Sequence, residues 1–230
     1  MKRVRIFTIK KKMFLVLFLS VLFASIFCLT YFSVKPTSTP KITHSIVIDA
    51  GHGGIDGGAV GKTTGVTESE LNLKYAYALK KICEDFGFKV ILTRCDAEGL
   101  YDENASSKKK SEMEKRKKMI EKAKPNFVVS IHMNSFSGGG VRGAHVFYGE
   151  KSTSGKVLAE SVANELARNI PYAHKTAKVG DYFILNNVNY PSVLIECGFL
   201  SNPEEEKLLQ NQEYITNFCY QIFCGIIKSL

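Results

Sequence analysis

Residues 45–54 read Ser-Ile-Val-Ile-Asp-Ala-Gly-His-Gly-Gly, a short β-branched run that ends in an acid and breaks on glycine. A run of this kind bounded by a turn signal predicts a buried strand over residues 45–49. Downstream, Leu71, Tyr75, Ala78, Leu79, Ile82 and Phe86 recur at helical spacing, and Gly87 stops the helix they predict. Strand-type runs follow at residues 89–93, 127–131, 143–148 and 192–196, with helical patterns at 154–169 and 214–228. The charged stretch 107–124, closed by Pro125, fits a solvated helix or partly a loop. This alternation predicts an α/β fold: a single domain over residues 44–230, with a mostly parallel central sheet flanked by helices.

Upstream of residue 44 the chain changes character. Lys2, Arg3, Arg5, Lys10, Lys11 and Lys12 occur with no acid among them, and the apolar run 13–34 that follows is long enough to cross a bilayer. Residues 1–34 therefore predict an N-terminal membrane segment. A retained signal-anchor is favoured over a cleaved signal peptide, because Cys28-Leu29-Thr30-Tyr31-Phe32 offers no small-x-small cleavage pattern. The basic flank keeps that end in the cytoplasm, which makes the domain extracytoplasmic and membrane-anchored, or secreted if the leader is cleaved. Residues 35–43, rich in Pro, Ser and Thr, predict a tether.

The leader also accounts for most of the net charge. Of 31 basic residues 6 lie in the leader, leaving 25 against 22 acids, or +3 for the rest. A nucleic-acid partner is therefore not expected. Outside the leader Cys83, Cys95, Cys197, Cys219 and Cys224 form no close pairs and are odd in number, which predicts small buried residues rather than a disulfide framework.

Open α/β sheets place their sites beyond the carboxyl ends of the strands. There the first strand runs into His52, the third into Ser130-Ile131-His132-Met133-Asn134 and the last into Leu194-Ile195-Glu196-Cys197-Gly198. Parallel strands would bring His52, His132 and Glu196 to one edge, and imidazoles with a carboxylate suit a zinc ion that keeps one position open for water. The glycines around His52 predict a loop stripped of side chains so that metal and substrate can approach. The start of the first helix adds two acids. Thr67 with Glu70 three residues later is a capping box that commits Glu70 to the helix end. Glu68 is left either to point into the cleft or to remain an exposed acid favoured by the helix dipole.

Taken together, Asp49-Ala50-Gly51-His52-Gly53-Gly54, Gly65-Val66-Thr67-Glu68, Leu92-Thr93-Arg94, Ser130-Ile131-His132-Met133-Asn134 and Leu194-Ile195-Glu196-Cys197-Gly198-Phe199-Leu200-Ser201-Asn202 resemble the zinc-dependent N-acetylmuramoyl-L-alanine amidases of bacterial cell walls. The resemblance covers nearly everything from His44 onward. It implies that His52, Glu68 and His132 hold Zn2+ and that Glu196 is the catalytic carboxylate, acting as general base and then acid. It further implies cleavage of the amide between N-acetylmuramic acid and L-alanine in a peptidoglycan substrate. Ala50 stands where many members have Pro, and Met133 where many have Ala, and neither change removes a ligand or the acid. The layout, with a membrane segment and no wall-binding repeat, is most similar to the CwlD-type sporulation amidases, which implies a role in the spore cortex.

Two rival classes bear on the same residues. A peptidoglycan deacetylase would also present zinc to the wall, but its usual pair of histidines four residues apart on one helix is missing. A non-catalytic zinc-containing wall-binding domain would have no use for both Glu68 and Glu196. Elsewhere, His174 is read as a surface-loop histidine and His145 as a structural one. Arg94 with Asp96 predicts a local ion pair, and Asn134 a residue that orients substrate or His132. No inhibitory insertion is evident between Arg94 and Phe127, so restraint of the enzyme is expected to come from a regulatory protein partner.

Overall fold

The computed structural model describes residues 11–33 and 44–230, with side chains over 13–27 and 44–230. The chain divides into two compact units, one carrying helix α1 (Lys11–Ser33) and the other every element that follows. α1 covers most of the apolar run, and among the described residues no helix is long and apolar enough to cross a membrane. The expected tether at 35–43 lies outside the described residues.

The second unit runs β1 (Ser45–Ala50), α2 (Glu68–Asp85), β2 (Lys89–Leu92), α3 (Lys108–Ala123), β3 (Phe127–Asn134), β4 (His145–Tyr148), α4 (Thr153–Asn169), β5 (Lys178–Val179), α5 (Phe183–Asn187), β6 (Ser192–Phe199), α6 (Pro203–Leu209) and α7 (Gln212–Lys228). The six strands form one sheet in the order β2-β1-β3-β6-β4-β5. The four strands from β2 to β6 are parallel, β4 is antiparallel to β6, and β5 is parallel to β4. The expected sheet is thus present with one reversal. Its cause is the connection over residues 135–144, which contains no helix and is too short for a parallel crossover.

Alternation along the strands sorts side chains onto two unequal faces. Ile46, Ile48, Val129, Ile131, Val193 and Ile195 enter the main core, with α2, α4 and α7 over them. On the other face Val47 and Val128 meet Ile120 of α3 and Ile184 of α5 in a small cluster. The polar strand residues Asp49, Ser130, His132 and Glu196 alternate onto this thinly covered face.

α3 is the main departure from the sequence reading. It is a continuous helix, and its inward stripe is Glu112, Arg116 and Ile120 at successive i, i+4 positions. The buried face of a helix is normally read from apolar periodicity. Here two of its three positions are ions, so the pattern looks solvated throughout. β5, α5 and α6 are too short to leave a periodic signal. Cys83, Cys197 and Cys219 are buried as expected, whereas Cys95 is exposed.

Candidate metal centre

Past β1 the backbone turns through Gly51, His52 and Gly53, and His52 adopts a φ of 61°. That left-handed conformation costs a non-glycine residue roughly 1–2 kcal/mol, so neighbouring contacts must impose it. Two buried arginines supply them. Arg94 donates from Nε to the Ala50 carbonyl (3.0 Å) and from Nη2 to the carbonyls of Gly51 (3.0 Å) and Ser69 (2.7 Å). Arg116, fully buried, donates to the carbonyls of Ala50 (2.8 Å) and His52 (2.7 Å) while pairing with Asp49 and Glu112. Asn72 adds a bond to the Gly51 carbonyl at 3.1 Å. Three successive carbonyls are therefore held from both sides of the loop, and Arg94 ties them to the first turn of α2.

The expected Arg94–Asp96 ion pair is not what forms. Arg94 Nη1 donates to the Asp96 backbone carbonyl at 2.8 Å, because the guanidinium is turned toward the loop.

α2 delivers Glu68. Thr67 caps the helix and exchanges hydrogen bonds with Glu70 at 3.4 and 3.2 Å, so Glu70 is committed to the cap. Glu68 turns inward, where the amides of Ala59 (2.8 Å) and Met133 (3.1 Å) donate to its carboxylate. Its Oε1 lies 3.1 Å from His52 Nε2 and 2.9 Å from His132 Nδ1. The candidate ligand atoms of His52, Glu68 and His132 all lie within 4.8 Å of one another. Bonds of about 2.0–2.1 Å at tetrahedral angles separate neighbouring donors by about 3.3 Å, so the set fits a zinc-sized ion.

The electrostatics couple the three groups. Burial alone would raise the pKa of Glu68, but hydrogen bonds and charge from His132 and His52 outweigh it and hold the carboxyl well below its usual range. Burial likewise opposes charge on His52, yet Glu68 and then Asp56 lift its pKa to about 9. A metal ion would take the place of the proton on His52, since a ligating imidazole must be neutral. Asp56 Oδ2 lies 2.8 Å from His52 Nδ1 on the side of the ring away from Glu68, although off the line of a good hydrogen bond. A carboxylate behind a histidine is how protein metal sites commonly orient their ligands.

The glycines of the loop do something more specific than clearing space for substrate. A Cβ on Gly51 would fall 2.2 Å from His132 Cε1, and one on Gly58 would fall 2.5 Å from Glu68 Oε2. They make room for the other two ligands. Gly51→Ala is accordingly expected to displace the His132 ring and weaken metal binding about 10–100-fold, measured by chelator competition. An unchanged affinity would mean that the ring has slack the packing does not suggest.

Glu196 sits beside this trio, paired in register with His132 across β3 and β6. It is buried, and among the described residues its Oε2 has no hydrogen-bond partner. Burial first, and then the nearby Glu68 charge, raise its pKa, while His132, His52 and the Tyr182 hydroxyl offset part of that rise. All four residues line a cleft of 400 Å³ walled by Met113 and Tyr182. A larger groove of 1090 Å³ near Ser152, Asn186 and Tyr190 contains none of them, so chemistry rather than size selects the cleft. Asn134, expected near substrate or His132, instead ends β3, where its side chain accepts from the Ser135 amide and its carbonyl from the Leu200 amide.

A family model for N-acetylmuramoyl-L-alanine amidases, Amidase_3, matches residues 46–228. The chain belongs to this family. It is 34% identical over 200 residues to the germination-specific N-acetylmuramoyl-L-alanine amidase of Bacillus subtilis (strain 168), covering 85% of this chain and 84% of that one. Among solved structures it is similar to the CwlD amidase of Clostridioides difficile, determined in complex with the GerS lipoprotein, with 37% identity and a TM-score of 0.77 over 81% of this chain and 98% of that one. It is also similar to the catalytic domain of CwlV from Bacillus (Paenibacillus) polymyxa var. colistinus, at 29% identity and a TM-score of 0.72 over 81% and 97% of the two chains. The amidase is therefore a peptidoglycan hydrolase of the N-acetylmuramoyl-L-alanine type, from a generally metal-dependent family, and its substrate lies outside the cytoplasm.

Arg116, Asp56 and Tyr182 had no part in the sequence reading of this site, and Asp49 entered it only as the first residue of a motif. Asp56 could have been found from its position four residues after His52. The others become visible only when α3 and α5 are packed onto the sheet.

Proposed function

We propose that this amidase cleaves the bond between the lactyl carbonyl of N-acetylmuramic acid and L-alanine with a zinc ion held by His52, Glu68 and His132. Zinc supplies Lewis acidity, which acidifies a water and polarises a carbonyl. Glu196 takes the proton from the attacking water and delivers it to the departing alanine nitrogen. The observation that carries this role is the unpartnered Oε2 of a buried carboxylate in register with His132. Its raised pKa makes the protonated form accessible, as the second half of that transfer requires. Tyr182, whose pKa burial and then the Glu196 charge raise to about 12, stays protonated and remains a donor at the cleft wall.

The setting we propose is the spore cortex, with the catalytic unit anchored to the membrane by residues 1–34 and tethered by 35–43. The germination-specific relative supports the cortex setting. A regulatory protein partner belongs to the same reading, supported by the solved association of the Clostridioides difficile relative with a lipoprotein.

Mass spectrometry of peptidoglycan digested by the zinc-loaded chain tests bond, metal and class together. The expected product is a stem peptide with a new N-terminal alanine, lost on chelation and restored by zinc. Loss of acetyl groups with intact stems would instead indicate a deacetylase, and no product at all a binding domain.

A further inference from the structure

The face of the sheet that carries Glu196 continues onto β4 and β5. His145 pairs with Glu196 across β6 and β4, and residues in register share a face, so His145 and Phe147 lie on the same side as Glu196. Lys178 on β5 is in register with Phe147 and brings its Nζ within 3.1 Å of His145 Nδ1. His174 joins them from the turn after α4. Its amide donates to the Ala144 carbonyl at 2.9 Å, and its ring centroid lies 3.9 Å from that of His145. The turn is seated tightly, since a Cβ on Gly143 would meet the Tyr172 carbonyl oxygen at 1.9 Å.

The three basic groups have an uneven division of labour. An ammonium has three donors and no acceptor, so His145 Nδ1 must accept from Lys178 and the ring must be neutral. Burial first, and then His174 and Lys178, push the His145 pKa down to about 4, in agreement with that role. His145 thus fixes the Lys178 ammonium and uses one of its donors. Among the described residues no ion pair includes His145, His174 or Lys178. Nearby Arg142, by contrast, reaches Glu204 at 3.5 Å and stacks on Tyr172. A fixed ammonium with donors to spare, beside a second basic ring and close to the catalytic cleft, suits an anion.

The substrate has anions on one arm only. The muramic carboxyl is consumed in the scissile amide and the N-acetylated sugars are neutral, so negative charge lies on the stem peptide. Lys178 stands two strands across and two residues along from Glu196, a backbone separation of about 12 Å at the spacings of a sheet, part of which its long side chain spans. An extended peptide advances about 3.3–3.6 Å per residue, which places the carboxylate of the second stem residue within reach.

We propose that Lys178 and His174, held in place by His145, form a carboxylate-binding subsite for an acidic residue at the second position of the stem peptide; this rests on the amide cleavage proposed above. The test uses two product dipeptides with the γ-carboxyl blocked as a methylamide, as the next peptide bond blocks it in the stem, so that they differ only at the α-carboxyl of the second residue: L-alanyl-D-glutamate γ-methylamide and its α-amidated counterpart, titrated calorimetrically into the zinc-loaded chain. The acid is expected to bind about tenfold more tightly than the amide, as a charge-assisted pair near the surface allows. Lys178→Gln should abolish that ratio, Lys178→Arg should retain much of it, and Lys156→Gln on the outside of α4 should leave it unchanged. Equal binding of the two dipeptides by the wild type, or a ratio that survives Lys178→Gln, overturns the subsite. Failure of the chain to cleave the corresponding muramyl dipeptides would count against the amide cleavage alone, because dipeptide binding requires no chemistry.

Discussion

Glu196→Gln is expected to retain zinc at wild-type stoichiometry while hydrolysis falls about 10²–10⁴-fold, the range for losing a general acid–base group. The substitution preserves shape and removes only the ability to accept and return a proton. His132→Ala should behave differently. It takes one donor from a set of three and leaves the Glu68 carboxylate without one of its two imidazoles, so metal and activity are both expected to be lost. Zinc content measured alongside turnover on a purified polymer separates the two outcomes. Normal turnover by the Glu196→Gln variant would remove it from the mechanism. Loss of zinc from that variant would make Glu196 part of the metal's setting rather than the proton carrier. That its Oε2 has no hydrogen-bond partner among the described residues argues for the carrier.

What could be read of this centre from the sequence divides along a physical line. β1, β3 and β6 announce themselves as apolar β-branched runs, and the residues at the end of each run fall at the carboxyl edge of a parallel sheet. His132 and Glu196 were legible for that reason. Glu68 was legible through its neighbour, since the capping box that claims Glu70 leaves one acid of the first turn uncommitted. Arg116 was not legible at all. Its helix carries Lys108, Lys109, Lys110, Lys115, Lys117 and Lys118 around it, and a lone buried cation in such company has no signature in composition or period. The reversal of β4 was hidden in the same way, because its direction is set by the length of a loop rather than by the strand's own residues. That reversal has a functional consequence. It is what brings His145 alongside Glu196, where a parallel continuation would have required a crossover.

Arg116→Ala is expected to destabilise the catalytic unit by about 3–5 kcal/mol, the usual cost of leaving buried charges without their partner. Two carboxylates, Asp49 and Glu112, depend on this guanidinium, and both are buried. Against a typical stability of about 5–15 kcal/mol the loss is large enough that the protein could unfold before its metal affinity is measured. Arg116→Lys isolates the second role. It keeps a charge for Asp49 but cannot span the carbonyls of Ala50 and His52 as the planar fork does. With that span gone, the left-handed backbone at His52 relaxes, and zinc affinity is expected to fall more than about tenfold in a protein that still unfolds cooperatively. Acid titration provides an independent check. Burial works against the Asp49 charge, but Arg116, Ser130 and Thr93 outweigh it and hold the pKa at about 2 against an ordinary 3.8. A depressed carboxylate stabilises the fold above its unfolded pKa and ceases to do so as pH falls through the folded value. Wild-type stability should therefore decline between about pH 4 and pH 2, and in Arg116→Ala this contribution should already be missing at neutral pH. A variant with wild-type zinc affinity and an unaltered acid transition would mean that the His52 loop keeps its geometry without α3, leaving Arg94 and Asn72 as its sufficient restraints.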